Sequence, residues 1–203
     1  MSSPTSPNHF DQSAQNWDTR RISVQLAELS NLLLPRLQLD KRQHWLDFGS
    51  GTGLLSVPLA ARVEKVTALD TSEKMLEVLA QKGVSNIETL NQDVFSGLPC
   101  DYDGVVSCMA LHHVESTDDL LKKFYQHLTS GGQLALVDLY EEDGSFHGDN
   151  EGKGVKHLGF DTKKLRETAE ALGFVEVSFS EIMQLQHRNG RSYPLFVMLA
   201  RRH

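Results

Sequence analysis

The sequence predicts an α/β fold: a mainly parallel, seven-stranded sheet with helices on both faces, ending in an antiparallel hairpin. Three observations carry this expectation. From residue 44 onward, short apolar runs alternate with helix-length segments, and parallel strands need such crossover helices between them. The first apolar run leads through a cluster of glycines straight into a helix, an arrangement that places a ligand at a strand end. The last two apolar stretches, 174–185 and 194–200, flank the turn-like HRNGRS, which reads as a hairpin.

In chain order, residues 1–9 are rich in Ser and Pro and are expected to form a disordered tail ahead of a single domain, 10–203. Between Thr19 and Leu34, Ile22, Leu26, Leu29 and Leu33 recur at three and four, the stripe of one helix ending near Pro35. Strands are expected at 44–48, 65–70, 86–91, 103–109 and 133–140. A helix over 116–129 has Ser116 or Thr117 as its cap, Leu120, Leu121, Phe124 and Leu128 on one face, and Gly131-Gly132 as its stop. Another over 161–172 has Asp161 as cap, Leu165, Ala169 and Leu172 as stripe, and Gly173 as stop. The polar stretch 140–159 is too long for an ordinary connection. It is expected to be mobile or to act as a lid over an acceptor site.

Composition narrows the function classes. A net charge of -7 offers no broad positive field, so no nucleic-acid partner is expected. No apolar run approaches the roughly 20 residues of a membrane span, and the opening MSSPTSPNHF lacks the order of a signal peptide. The expected location is cytoplasmic, with Cys100 and Cys108 as reduced thiols. Glu141, Glu142 and Asp143 with His147 and Asp149 match no ligand spacing, so no metal is expected.

The chemistry concentrates at three predicted strand ends. HWLDFGSGTGLL places Gly49, Gly51 and Gly53 after the first strand, where glycine permits a tight turn and close backbone approach to a ligand. The spacing is G-x-G-x-G, not the G-x-G-x-x-G of dinucleotide sites, and no G-K-[ST] follows. Asp47 beside the loop would repel a pyrophosphate but attract an ammonium group. Asp70 ends the second strand, 21 positions after Gly49, where an acid holds a ribose diol. Asp93 stands at the third strand end, placed to accept from an adenine amino group, with Val94 as an apolar wall. Together these acids favour an adenosine ligand bearing an ammonium.

LDFGSGTG, ALD and QDV, followed by YDGVVSCMALHHV, resemble the ordered motifs of class I S-adenosylmethionine-dependent methyltransferases over roughly residues 40–140. The chain is similar to the compact small-molecule branch that includes ubiquinone and menaquinone biosynthesis enzymes. The resemblance implies a Rossmann-like fold, S-adenosylmethionine as cofactor and S-adenosylhomocysteine as product. It implies that Gly49, Ser50, Gly51, Thr52 and Gly53 cradle the methionine part, Asp70 the ribose, and Asp93 with Val94 the adenine. Thr71 and Met75 join this set, Cys108, Met109 and Ala110 line the cofactor, and Trp17 in FDQSAQNWD covers its methionine end.

The sulfonium already activates the methyl group, so the protein mainly aligns acceptor, carbon and sulfur. The acceptor is expected to be a small molecule. His113 is the first candidate for a base, with His112, His147 and His157 as alternatives. Competing readings are a non-catalytic cofactor sensor or partner subunit, and a nicotinamide-dependent oxidoreductase, against which the glycine spacing argues. The final hairpin offers an edge for association, but the oligomeric state is left open.

Overall fold

A computed structural model of the chain describes residues 9–203. The expected tail therefore lies outside the described residues except for His9, which opens the first helix, α1 (His9–Ser13). A 3₁₀ segment, Ala14–Thr19, follows.

The single helix expected over 19–34 is instead two short ones, α2 (Arg21–Leu26) and α3 (Leu29–Leu33). Extended backbone at Arg20 delays the start. At the junction, the Glu28 N–H bonds Gln25 O and the Asn31 N–H bonds Glu28 O, a tightening to i→i−3. The stripe still works: Leu26, Leu29 and Leu33 are buried in a cluster that includes Trp45, Ile182 and Leu195.

The sheet begins with β1 (His44–Phe48), then α4 (Ser56–Ala60), β2 (Lys65–Asp70), α5 (Glu73–Gln81), β3 (Ile87–Asn91) and β4 (Tyr102–Cys108). Next come α6 (Thr117–His127), β5 (Leu128–Leu139), α7 (Thr162–Leu172), β6 (Phe174–Gln186) and β7 (Ser192–Arg202). The seven strands are ordered β3-β2-β1-β4-β5-β7-β6. Pairing is parallel from β3 through β5 and antiparallel for β7 against both β5 and β6. β1, β2 and β4 are almost wholly buried, as strands covered on both faces must be.

Ser116 and Asp161 accept the N-cap bonds of α6 and α7, and Gly173 ends α7 in the left-handed conformation, φ 103°. Gly131 and Gly132 do not stop α6. The backbone is already extended at Leu128, and the glycines lie where β5 slips against β4, between the Tyr102–Leu128 and Gly104–Gln133 pairs. The extra residues form a bulge, which glycine suits. Among the described residues, no helix is long and apolar enough to cross a membrane.

Candidate active site

The order of strands reverses between β1, whose chain continues outward to β2, and β4, whose chain continues toward β5. Loops leaving two such strands diverge and open a crevice at their carboxyl ends. A cavity of about 450 Å³ occupies that position, within the size range of small-molecule and cofactor sites.

The glycine loop forms one wall. Gly49, Gly51 and Gly53 have φ of 65°, 52° and 90°, values that L side chains rarely adopt. A Cβ at Gly49 would lie 2.3 Å from the Cβ of Ala110 on the loop after β4. Its absence lets the two strand-end loops meet beneath the cavity. The Ser50 hydroxyl is buried without a hydrogen-bond partner while its residue lines the cavity. Such an orphan is costly unless a ligand satisfies it.

Asp47, Asp70 and Asp93 all line this cavity. Asp47 is buried and accepts from the Ser56 hydroxyl at 2.6 Å. Burial pushes its carboxyl up to about 7, the Ser56 bond pulls it down, and the charge of Asp70 adds to the rise. Asp70 accepts from Ser72 N and Gly51 N, both at 2.8 Å. Burial raises its pKa as well, against those N–H bonds. The Gly51 bond ties the glycine loop to the acid at the end of β2. Asp93 caps the 3₁₀ turn Val94–Ser96 by accepting from Phe95 N at 2.8 Å, and Val94 is buried beside it.

The remaining expected residues fall on the same surface: Ser50, Thr52, Thr71, Met75, Cys108, Met109, Ala110 and Trp17. Met109 sits at φ 56°, an uncommon conformation for a side-chain residue that merits a functional account at a ligand wall. Burial pushes the Cys108 thiol well up, with Asp138 and Asp47 adding to it. That favours a packed neutral thiol over a reactive thiolate.

His113 lines the cavity from the 3₁₀ turn Leu111–His113, its Nδ1 3.1 Å from the carbonyl oxygen of Gly154. Burial first, then neighbouring His112, lowers it to about 4. His112 does not line the cavity: it is buried behind, with Nδ1 2.7 Å from Asp138 Oδ1. His147 packs against both rings, and burial lowers it to about 3. His157 binds the Val114 carbonyl through Nε2 at 2.9 Å.

The 140–159 stretch is not a detached loop. Lys156 N and His157 N both donate to His112 O, at 2.8 and 3.1 Å, and Lys156 reaches the cavity wall. The acidic run ahead of it is engaged locally: Asp143 pairs with Arg191 at 2.7 Å and Glu142 accepts from Phe146 N. Sequence reasoning missed Lys156 and also Phe10, which lines the cavity beside Trp17. Phe10 packs on His113 with ring centroids 5.1 Å apart. The FDQSAQNWD segment carried the signal for Phe10, whereas nothing in the sequence singled out Lys156.

This fold and crevice define a Rossmann-like α/β class with a ligand cavity at the strand ends. Residues 46–136 match the methyltransferase domain family. The chain is 42% identical over 96 residues to an uncharacterized methyltransferase of Mycobacterium tuberculosis, covering 45% of this chain and 48% of that protein. It is 31% identical over 145 residues to an uncharacterized methyltransferase of Bacillus pumilus, covering 70% of this chain and 64% of that one. The chain thus spans less than two thirds of the length of these relatives. Its fold is similar to that of phosphoethanolamine N-methyltransferase 2 of Haemonchus contortus solved with S-adenosyl-L-methionine. There the TM-score is 0.74 at 15% identity, over 95% of this chain and 60% of that one.

Proposed function

We propose that the chain is an S-adenosylmethionine-dependent methyltransferase acting on a small-molecule acceptor. The observation that carries the reading is the convergence of Asp47, Asp70 and Asp93, from three adjacent strand ends, on one cavity walled by the glycine loop. The match to the methyltransferase domain supports it.

The residues present fit the cofactor. Asp70, its orientation fixed by two backbone N–H bonds, holds the ribose hydroxyls. Asp47 faces the ammonium, and the unsatisfied Ser50 hydroxyl gains a partner from the methionine end. Asp93 and Val94 bound the adenine, and Trp17 with Phe10 excludes water from the sulfonium side. When bound, the cofactor supplies an activated methyl group whose transfer needs alignment above all. His113 is the cavity residue that meets the acceptor. Held to the Gly154 carbonyl through Nδ1, it presents the Nε2 lone pair to the acceptor's O–H or N–H.

Calorimetric titration with S-adenosylmethionine and S-adenosylhomocysteine, with NADH as control, tests the cofactor. Binding of the first two at about micromolar strength, and none of NADH, is the expected result. Asp70→Ala removes hydrogen bonds to a charged group worth about 1.5–3 kcal/mol and should weaken that binding at least tenfold. Unchanged affinity would refute the assignment of Asp70. Absence of binding by the wild-type protein would refute the function.

A further inference from the structure

The turn after β4 and the 140–159 segment bring together three imidazoles that the cofactor site does not use as a set. Ring centroids are 4.2 Å apart for His112 and His113, 4.8 Å for His112 and His147, and 5.9 Å for His113 and His147. One ligating nitrogen from each lies within 4.8 Å of the other two. A tetrahedral zinc site at its usual bond lengths needs these nitrogens about 3.3 Å apart. Metal binding would therefore draw the three rings together by at most about 1.5 Å.

Two of the three rings are already oriented for ligation. The Asp138 carboxylate, fully buried, accepts from His112 Nδ1 at 2.7 Å and also from Leu139 N at 2.7 Å. The Gly154 carbonyl accepts from His113 Nδ1 at 3.1 Å. A proton on each Nδ1 leaves the lone pair on Nε2. Metal-binding histidines are oriented in this way, with the far nitrogen donating to a carboxylate or a backbone carbonyl. Asp138 also supplies a negative charge behind the cluster. Lys153, whose ammonium bonds the His147 carbonyl, is the opposing cation.

The geometry points to a divalent transition-metal site formed by His112, His113 and His147, with Asp138 and the Gly154 carbonyl as the groups that orient the ligands. Imidazole donors select zinc and its first-row neighbours over magnesium and calcium, which take oxygen. Three protein ligands leave a fourth position for an exchangeable group, the pattern of reactive and not of structural zinc. Because His113 also lines the cavity, a cation held on its Nε2 takes the lone pair that the metal-free protein presents to the acceptor, so the two forms offer the acceptor different groups at that wall. The site does not depend on the cofactor reading, since its ligands are separate from the three strand-end acids.

The test uses full-length protein without a polyhistidine tag, stripped with chelator and titrated with Co²⁺ while visible absorption is recorded. The expected result is one equivalent bound, with the intense bands of four-coordinate cobalt, displaced by Zn²⁺. His147→Ala, on a connecting segment and outside the sheet, should weaken binding at least tenfold while leaving the thermal melt in place. Asp138→Asn should weaken it by about 10- to 100-fold through loss of ligand orientation. Only the weak bands of six-coordinate cobalt, or an affinity unchanged by His147→Ala, would overturn the site. If Asp138→Asn does not fold, the His147 variant decides alone.

Discussion

At the scale of single residues, burial sets the behaviour of Asp47. With its carboxyl pushed up to about 7, the free protein holds a proton there below neutrality, and a cationic ligand group requires the carboxylate. Ligand binding then displaces the proton, so affinity climbs with pH up to about 7 and levels off above it. S-adenosylmethionine should bind about tenfold more weakly at pH 6 than at pH 8. Asp47→Asn should flatten that profile and bind weakly throughout. A wild-type profile already flat from pH 6 to 8 would show that the ammonium does not face Asp47. His113 and His147 are lowered by burial to about 4 and 3 and stay neutral across this range, so neither confuses the reading.

At the scale of elements, the central strands were legible because burial on both faces writes itself as an unbroken apolar run. β1 and β2 coincide with the expected 44–48 and 65–70, and the strand-end acids follow from where those runs stop. The break between α2 and α3 was not legible, since Ile22, Leu26, Leu29 and Leu33 keep helical spacing through it and only the backbone bonds change. Lys156 was equally hidden: its place at the cavity depends on the N–H bonds to His112 O, which no periodicity encodes. A further element-scale contact lies at the β1–β4 pairing, where Gly104 stands opposite Trp45. A Cβ there would come within 2.4 Å of the fully buried indole ring. Gly104→Ala should cost about 1–3 kcal/mol by overpacking, lowering Tm by several degrees. Combined with Trp45→Leu, the same change should cost less than it does alone. Additive losses would place the strain elsewhere.

At the scale of the whole molecule, the cavity is assembled from two sources with different energetic standing. Its floor belongs to the sheet, whose core clusters draw their described members from Ile22 onward. Its roof belongs to the N-terminal segment, where Phe10 and Trp17 line the cavity. Contacts that tether that segment include Asp18, which takes the Thr52 hydroxyl and pairs with Lys82 at 2.8 Å, and Asp11, which accepts from the Ser72 hydroxyl at 2.6 Å. The exposed Asp18–Lys82 pair contributes up to about 1 kcal/mol, and the two part-buried hydroxyl bonds to carboxylates about 1.5–3 kcal/mol each, enough to hold a roof in place. Removal of residues 1–18 should therefore raise the Kd for S-adenosylmethionine at least tenfold, while Tm falls by about 2–4 °C for each kcal/mol lost and the sheet still unfolds in one cooperative transition. Asp18→Ala should produce a smaller loss of affinity in the same direction. Unchanged affinity after truncation would separate the roof from the ligand. A collapse in Tm would instead make the segment part of the core, and the cavity one structure whose roof cannot move without the sheet.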